Sequence, residues 1–286
     1  MKKNHEPLDI RPLSQSIGAE IRGLDLTKPL GKKNLRAIET AWENYIVLLF
    51  RDQKLNTNQQ VNFAKQFGNV GTRSRPANRR PEGADYDESI MLVSNIKEDG
   101  KYIGSLPDGE MWFHHDMCYA PAPHKGTFLY AMELPSSGGN TLFANMYLAY
   151  ESLSKKLKEK LKGKKVLQIY DFATREVVDI SKEIEQFKHC VQPATITHPV
   201  TNRRALYVNP LITARFEQLP EKESKSILEE LFLFQKNEEI IYEHKWRVGD
   251  LVMWDNWCSC HARTDFPENE RRLLRRCTIK GQPLSE

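Results

Sequence analysis

Apolar residues fall at helical spacing over residues 32–44, where Leu35, Ile38, Ala41 and Trp42 mark one face of an amphipathic helix. The pattern then changes abruptly. Tyr45-Ile46-Val47-Leu48-Leu49-Phe50 is an unbroken apolar run of strand length, stopped by Arg51-Asp52-Gln53. A second helix is expected from an N-cap at Thr57 or Asn58 to about Gly68. Residues 71–111 are rich in Gly, Pro, Arg and Asp around a short strand at 90–93, the composition of a functional loop. Strand pattern dominates 112–145, with a strand at 127–132 and a turn at Ser136-Ser137-Gly138-Gly139-Asn140. A Lys-rich helix is expected over 149–161, and 164–192 reads as an insertion without clear period. Strands return at 194–197, 204–208, 243–254 and 272–280, and a helix with the stripe Ile227, Leu228, Leu231 and Phe232 is expected at 220–236. Strand-rich halves interrupted by a few helices give a mainly β (α+β) fold with a sandwich or jelly-roll core.

Composition narrows the class. At 286 residues with 40% hydrophobic content, one large domain over 1–286 is expected, and it has ample length to bury a core. The formal charge of +4 is too small to argue for nucleic acid, and aromatic and basic residues do not interleave. Five cysteines at 118, 190, 258, 260 and 277 form an odd set without framework spacing, which fits a reducing compartment. The segment Met1 to Pro12 lacks an apolar core of the secretory kind, and no apolar run is long enough to span a bilayer. A cytoplasmic protein without membrane contact is expected. Arg73, Arg75, Arg79 and Arg80 cluster in the loop, as either a solvated patch or an anion receptor.

The candidate chemistry lies in two distant segments. In His114-His115-Asp116, a His-x-Asp pair on an extended strand turns an imidazole and a carboxylate to one face, with His115 turned away. On its own such a pair is also compatible with a capped turn bearing two solvated groups. His261, about 145 residues later, supplies a second imidazole and completes a two-nitrogen, one-carboxylate set of the kind that leaves coordination positions open on Fe(II). Arg272 and Arg276 share a strand face, so both guanidinium groups can enter one pocket and grip carboxylates. Arg271 and Arg275 then face the other way, to the surface. Cys258-x-Cys260-His261 resembles half a zinc site that no second pair completes, and Cys118 reads as a small core residue bordering the pocket.

Several ordered motifs join these residues: Ile17-Gly18-Ala19-Glu20-Ile21-x-Gly23-x-Asp25-Leu26, Phe50-Arg51-Asp52-Gln53, Phe67-Gly68, Leu134-Pro135-Ser136-x-Gly138-Gly139-x-Thr141, and Gly249-Asp250-x-x-x-Trp254-Asp255-Asn256. With the His-x-Asp, His261 and the arginine pair, they resemble the Fe(II)/2-oxoglutarate-dependent dioxygenases of the taurine and 2,4-dichlorophenoxyacetate dioxygenase family over nearly the whole chain. The resemblance implies a double-stranded β-helix (cupin-like jelly roll). It implies His114, Asp116 and His261 as iron ligands and catalytic residues, Thr141 and Arg272 as contacts of 2-oxoglutarate, and Arg276 near a substrate anion. It also implies O2 as oxidant and release of succinate and CO2 on hydroxylation of an unactivated C–H bond; halogenating relatives lack the Asp116 carboxylate. Relatives are often dimers or tetramers, so the resemblance also implies a homo-oligomer. The taurine enzyme has a substrate-contacting histidine where Arg73 stands here, within Thr72-Arg73-Ser74-Arg75, which speaks against taurine. Arg73 and Glu110, beside Met111-Trp112-Phe113, are therefore assigned with Arg276 to a small organic acid: a carboxylate, sulfonate or phosphonate with an apolar body. The competing readings are a cupin-like zinc-dependent hydrolase or isomerase and a non-catalytic metal-binding protein.

Overall fold

The computed structural model describes residues 8–286 other than 74, 76, 84–86, 107–108, 173–175, 181–182 and 235–236. Of the leading segment read for a secretion signal, residues 1–7 lie outside the described residues, as does Ser74 of the arginine-rich stretch. The chain opens with β1 (Asp9–Pro12), β2 (Ala19–Arg22), α1 (Lys32–Tyr45), β3 (Val47–Phe50), α2 (Thr57–Ala64) and β4 (Ile90–Ser94). A short hairpin, β5 (Lys97–Glu98) and β6 (Lys101–Tyr102), precedes β7 (Met111–His114), β8 (Gly126–Glu133) and β9 (Thr141–Asn145). Then come α3 (Met146–Glu151), α4 (Lys155–Leu161), β10 (Lys165–Tyr170), β11 (Lys188–Pro193), β12 (Thr195–Thr197), β13 (Arg204–Leu206) and β14 (Thr213–Phe216). The last elements are α5 (Glu221–Phe234), β15 (Ile241–His244), β16 (Leu251–Asp255), β17 (Ser259–Arg263) and β18 (Leu273–Ile279).

Among the described residues, seven strands form one sheet in the order β1-β2-β3-β16-β8-β18-β4, and four form a second in the order β15-β9-β17-β7. The pattern of β3 explains its unbroken apolar run. Val47 and Leu49 enter the core between the two sheets with Leu129, Val252, Leu274 and Phe143, while Leu48 and Phe50 face the helical layer with Phe128, Leu251 and Met253. On that outer side α1 contributes Ile38, Ala41 and Trp42, and α2 contributes Val61, Phe63 and Ala64. Phe63 meets Phe50 and Phe128 edge-on, at 5.4 and 6.0 Å between centroids, an arrangement favoured by the ring quadrupoles. The result is a mainly β jelly roll with helices on one face. No helix among the described residues is long and apolar enough to cross a membrane.

Several boundaries depart from the sequence pattern for local reasons. Ile46, at φ 68°, ends α1 by donating to Trp42 O, so the strand starts only at Val47. The cap of α2 is Asn56, ahead of both expected positions, Thr57 and Asn58: its side chain accepts from Gln59 N while Gln59 Oε1 accepts from Asn56 N. That reciprocal box stabilises the helix by about 1 kcal/mol. The expected helix over 149–161 is two helices, because the Ser154 hydroxyl caps a new start by accepting from Leu157 N. The expected strand over 243–254 breaks at Gly249, whose φ of 88° suits glycine. Residues 164–192 are more than an irregular insertion: β10 pairs with β11 along its whole length and with β14 on its other side. Arg275 does face away from the interior, but it is buried rather than at the surface. It donates to Gln60 Oε1, Thr57 Oγ1 and Leu55 O, because α2 covers that face of the sheet. Arg271 is exposed and pairs with Glu133.

Candidate active site

His114 and His261 are partners across the β7–β17 pair, and their rings lie 4.1 Å apart between centroids. β7 ends at His114, so Asp116 reaches the site from the following turn, where Met117 takes a φ of 60°. The expectation of a continuous strand through Asp116 to Cys118 therefore fails, although both ligand-type side chains still converge. Asp116 Oδ1 is 4.0 Å from His114 Nε2, and its Oδ2 is 4.0 Å from His261 Nε2. One donor atom from each of the three residues lies within 4.8 Å of the others.

The protonation of these groups suits a cation. Burial lowers the pKa of His114, and burial together with the neighbouring His114 holds His261 well below the ordinary value. His114 Nδ1 bonds to Trp112 O at 2.9 Å, which fixes the proton there and leaves the Nε2 lone pair toward the cluster. Burial alone would raise the Asp116 pKa; Arg276, the two histidines and the Thr127 hydroxyl outweigh it and keep the carboxylate ionised. Two neutral imidazoles and one carboxylate are a donor set that fits a divalent metal.

Asp116 Oδ2 accepts from Thr127 Oγ1 at 2.8 Å and lies 2.7 Å from Arg276 Nη2. Thr127 Oγ1 in turn accepts from Asn256 Nδ2 at 3.0 Å, which gives a chemical task to the asparagine of the Trp254-Asp255-Asn256 motif. Oδ1 is left toward His114. If the cluster holds a divalent metal, Thr127→Val should weaken its binding roughly 10- to 100-fold, the usual effect of losing such support. Anaerobic iron titration measures it, and a change under about threefold would show that Asp116 needs no help from Thr127.

These groups open into one cavity of about 150 Å³ lined also by Thr141, Arg263, Arg272 and Arg276. Arg272 is almost fully enclosed, donating from Nη2 to Gly139 O while its Nε has no partner. Burial, then Arg263, pushes its pKa down to about 9, so it remains charged at neutral pH. Thr141 Oγ1 accepts from Trp246 Nε1 at 3.1 Å, so its own proton is free to donate into the cavity. The sequence held no signal for Trp246.

Two assigned residues behave differently. Arg73 lines the cavity, but its guanidinium is committed to Glu82 at 2.7 Å in a buried ion pair. Glu110 is exposed and does not line the cavity, because β7 begins at the next residue with Met111 turned inward. The cavity wall is otherwise largely apolar, with Met91, Leu106, Met117, Tyr119, Tyr170 and Phe172; Tyr119 and Tyr170 stack at 5.2 Å. Arg75 lies over the Phe172 ring and bonds to Ser105 and Phe172 O.

His115 turns from the cluster into the protein, where Cys260 Sγ is 3.2 Å from its Nδ1 and burial pushes its pKa down to about 3. Cys118 is buried against Gln168 and Asn209, and burial pushes its thiol pKa up. Cys258 approaches His198 and Asp255 in a second, fully buried group of ligand-type atoms. There, His198 Nδ1 accepts from Val200 N and Thr201 N, so Nε2 carries the proton and faces Asp255 Oδ2 at 3.1 Å. The His198 imidazole therefore has no lone pair left for a metal, and its contacts here are structural.

Comparison with known proteins agrees with this geometry. The family model described as taurine catabolism dioxygenase TauD, TfdA family, matches residues 9–278. The chain is 36% identical over 287 aligned residues to pentalenolactone F synthase of Streptomyces avermitilis, covering 94% of this chain and 92% of that one. It is 31% identical over 279 residues to the alpha-ketoglutarate (2-oxoglutarate)-dependent 2,4-dichlorophenoxyacetate dioxygenase of Cupriavidus pinatubonensis, covering 93% and 96%. The crystal structure of AAD-2 in complex with Mn(II) and N-oxalylglycine superposes with a TM-score of 0.79 at 29% identity, covering 98% of this chain and 100% of that one. From β1 to the end of β18, the chain belongs to the TauD/TfdA family and is a 2-oxoglutarate-dependent dioxygenase.

Proposed function

We propose that the protein uses Fe(II), 2-oxoglutarate and O2 to hydroxylate an unactivated C–H bond of a small organic acid with an apolar body, releasing succinate and CO2. The observation that carries this reading is one cavity containing a His-His-Asp cluster, two inward arginines and a largely apolar wall. His114, Asp116 and His261 hold the iron, which when bound supplies the oxygen activation. Arg272 and Thr141 receive the distal carboxylate of 2-oxoglutarate; the free Thr141 proton and the unpartnered Arg272 Nε are donors suited to it. Arg276 attracts the substrate's anionic group. Tyr119, Tyr170 and Phe172 receive its apolar part and exclude bulk water from the reacting carbon.

The relatives named for 2,4-dichlorophenoxyacetate and (S)-phenoxypropionate support an acid of this kind, and the aromatic wall supports it over taurine. A zinc hydrolase leaves Arg272 and Thr141 without a purpose. Five free cysteines fit a cytoplasmic setting.

Anaerobic addition of Fe(II) and then 2-oxoglutarate should produce a visible metal-to-ligand charge-transfer band, absent in His114→Ala. Succinate release should then respond to phenoxyacetate, 2,4-dichlorophenoxyacetate or (S)-phenoxypropionate more than to taurine. Strict selectivity for taurine would refute the substrate class. Iron binding with no band would refute the cosubstrate site.

A further inference from the structure

His124 follows the turn Ala120-Pro121-Ala122-Pro123, between Asp116 and Thr127 in the chain, and has no role so far. Its ring is 8% exposed and lines the same cavity as Arg276. Nδ1 is enclosed without a hydrogen-bond partner, and among the described residues Nε2 has none either. A buried imidazole with both nitrogens idle is a costly arrangement unless a ligand uses them. The ring is also firmly placed. Trp257 Nε1 donates to Pro123 O, Lys125 N donates to Ile279 O, and Asn256 N donates to Lys125 O. Gly71 leaves room beside it: a Cβ there would lie 2.9 Å from His124 Nε2 and 2.5 Å from Thr278 Oγ1.

The electrostatics favour a neutral donor. Burial, and then the charge of Arg276, push the His124 pKa down to about 4. At neutral pH the ring therefore carries one N–H and no charge. The cation that acts most on the ring is Arg276, whose own partner is Asp116 of the ligand-type cluster, whereas Arg73 is bound to Glu82 outside it. One charge plus one neutral donor suits a monoanion better than a dianion.

We propose that His124 donates a hydrogen bond to the substrate's carboxylate while Arg276 supplies the charge, so that this pair, in place of Arg73, fixes the head group. The inference rests on the acid-hydroxylating reading above. His124 thereby takes, from a different part of the chain, the head-group role that the sequence assigned to Arg73.

The test uses the full-length protein loaded anaerobically with Fe(II) and 2-oxoglutarate, with 2,4-dichlorophenoxyacetate and its neutral analogue 2,4-dichloroanisole as probes. Shifts of the charge-transfer band give a Kd for each. In His124→Ala the acid should bind about 10- to 100-fold more weakly, the scale of one hydrogen bond to a charged group. The ether should change less than about threefold, and His124→Gln, which keeps an N–H donor, should recover part of the loss. If His124→Ala fails to form the band, His124→Gln alone decides, by discriminating acid from ether less than wild type does. Equal shifts for acid and ether, or an unchanged acid Kd, would overturn the proposal. So would wild type binding the acid no better than the ether, while leaving the dioxygenase reading intact. A missing band in wild type would instead sink that underlying reading.

Discussion

Replacing His261 with alanine is expected to abolish succinate formation, by roughly a thousandfold or more. The imidazole is set by pairing in two directions, with His114 on β7 and Phe143 on β9, and by the Trp254 ring 4.9 Å away. Neither His115 nor His198 can take its place: His115 faces Cys260 and Asn209, and His198 has its lone pair committed to backbone N–H groups. One imidazole and one carboxylate would remain, and the cation would lose a third of its protein donors. A bound metal contributes several kcal/mol of transition-state stabilisation, and about 4 kcal/mol corresponds to three decades in rate. The anaerobic charge-transfer band should vanish with activity, while thermal unfolding shows the fold retained. Turnover within tenfold of wild type would remove His261 from the metal site.

Arg272→Met should separate stability from function. In the ligand-free protein Arg272 is 2% exposed, holds one carbonyl and leaves Nε without a partner. Burying a charge in this state is costly, and an apolar chain of similar length removes that cost. The ligand-free variant should therefore melt no lower than wild type. The cosubstrate response should move the other way. Wild type at a hundredfold excess of 2-oxoglutarate over Kd gains about 2.7 kcal/mol, which the variant should lose. Its KM for 2-oxoglutarate should rise at least about 100-fold, in line with the 2–5 kcal/mol cost of truncating one side of a buried charge pair. Thermal shift with and without 2-oxoglutarate, followed by steady-state succinate assays, measures both. A variant that melts lower and still responds to 2-oxoglutarate would make Arg272 a structural residue.

Much of the architecture was legible because burial is periodic. The stripe of α1 and the doubly buried run of β3 each state how many faces are covered. What was not legible depends on partners. The parity of β18 places Arg275 opposite Arg276, but only the docking of α2 turns that outward position into a buried one, through Gln60 and Leu55 O. Hydrophobic pattern did not reveal the Ser154 cap, so one helix was expected where two occur. At the site, His114, Asp116 and His261 announced themselves by type and spacing. Arg73 did not disclose its ion pair with Glu82, a contact nine residues along an irregular loop. His124 gave no sign at all, since its meaning is the absence of a partner, which no sequence records.

β18 gives the pocket a fixed gauge length. Arg272 at its threshold and Arg276 within it are four residues apart, about 13 Å along an extended strand. In the proposed reading this single rail sets both where the oxoacid is held and where the second acid is attracted. On the far side of the sheet, Gln60 Nε2 clips this rail to its neighbour by donating to Phe128 O and Arg275 O. The two affinities are therefore mechanically geared, and a shift of β18 cannot retune one alone. Tyr119, Tyr170 and Phe172 line the same cavity but lie off β18, so they can be exchanged while the spacing between the two arginines stays as it is.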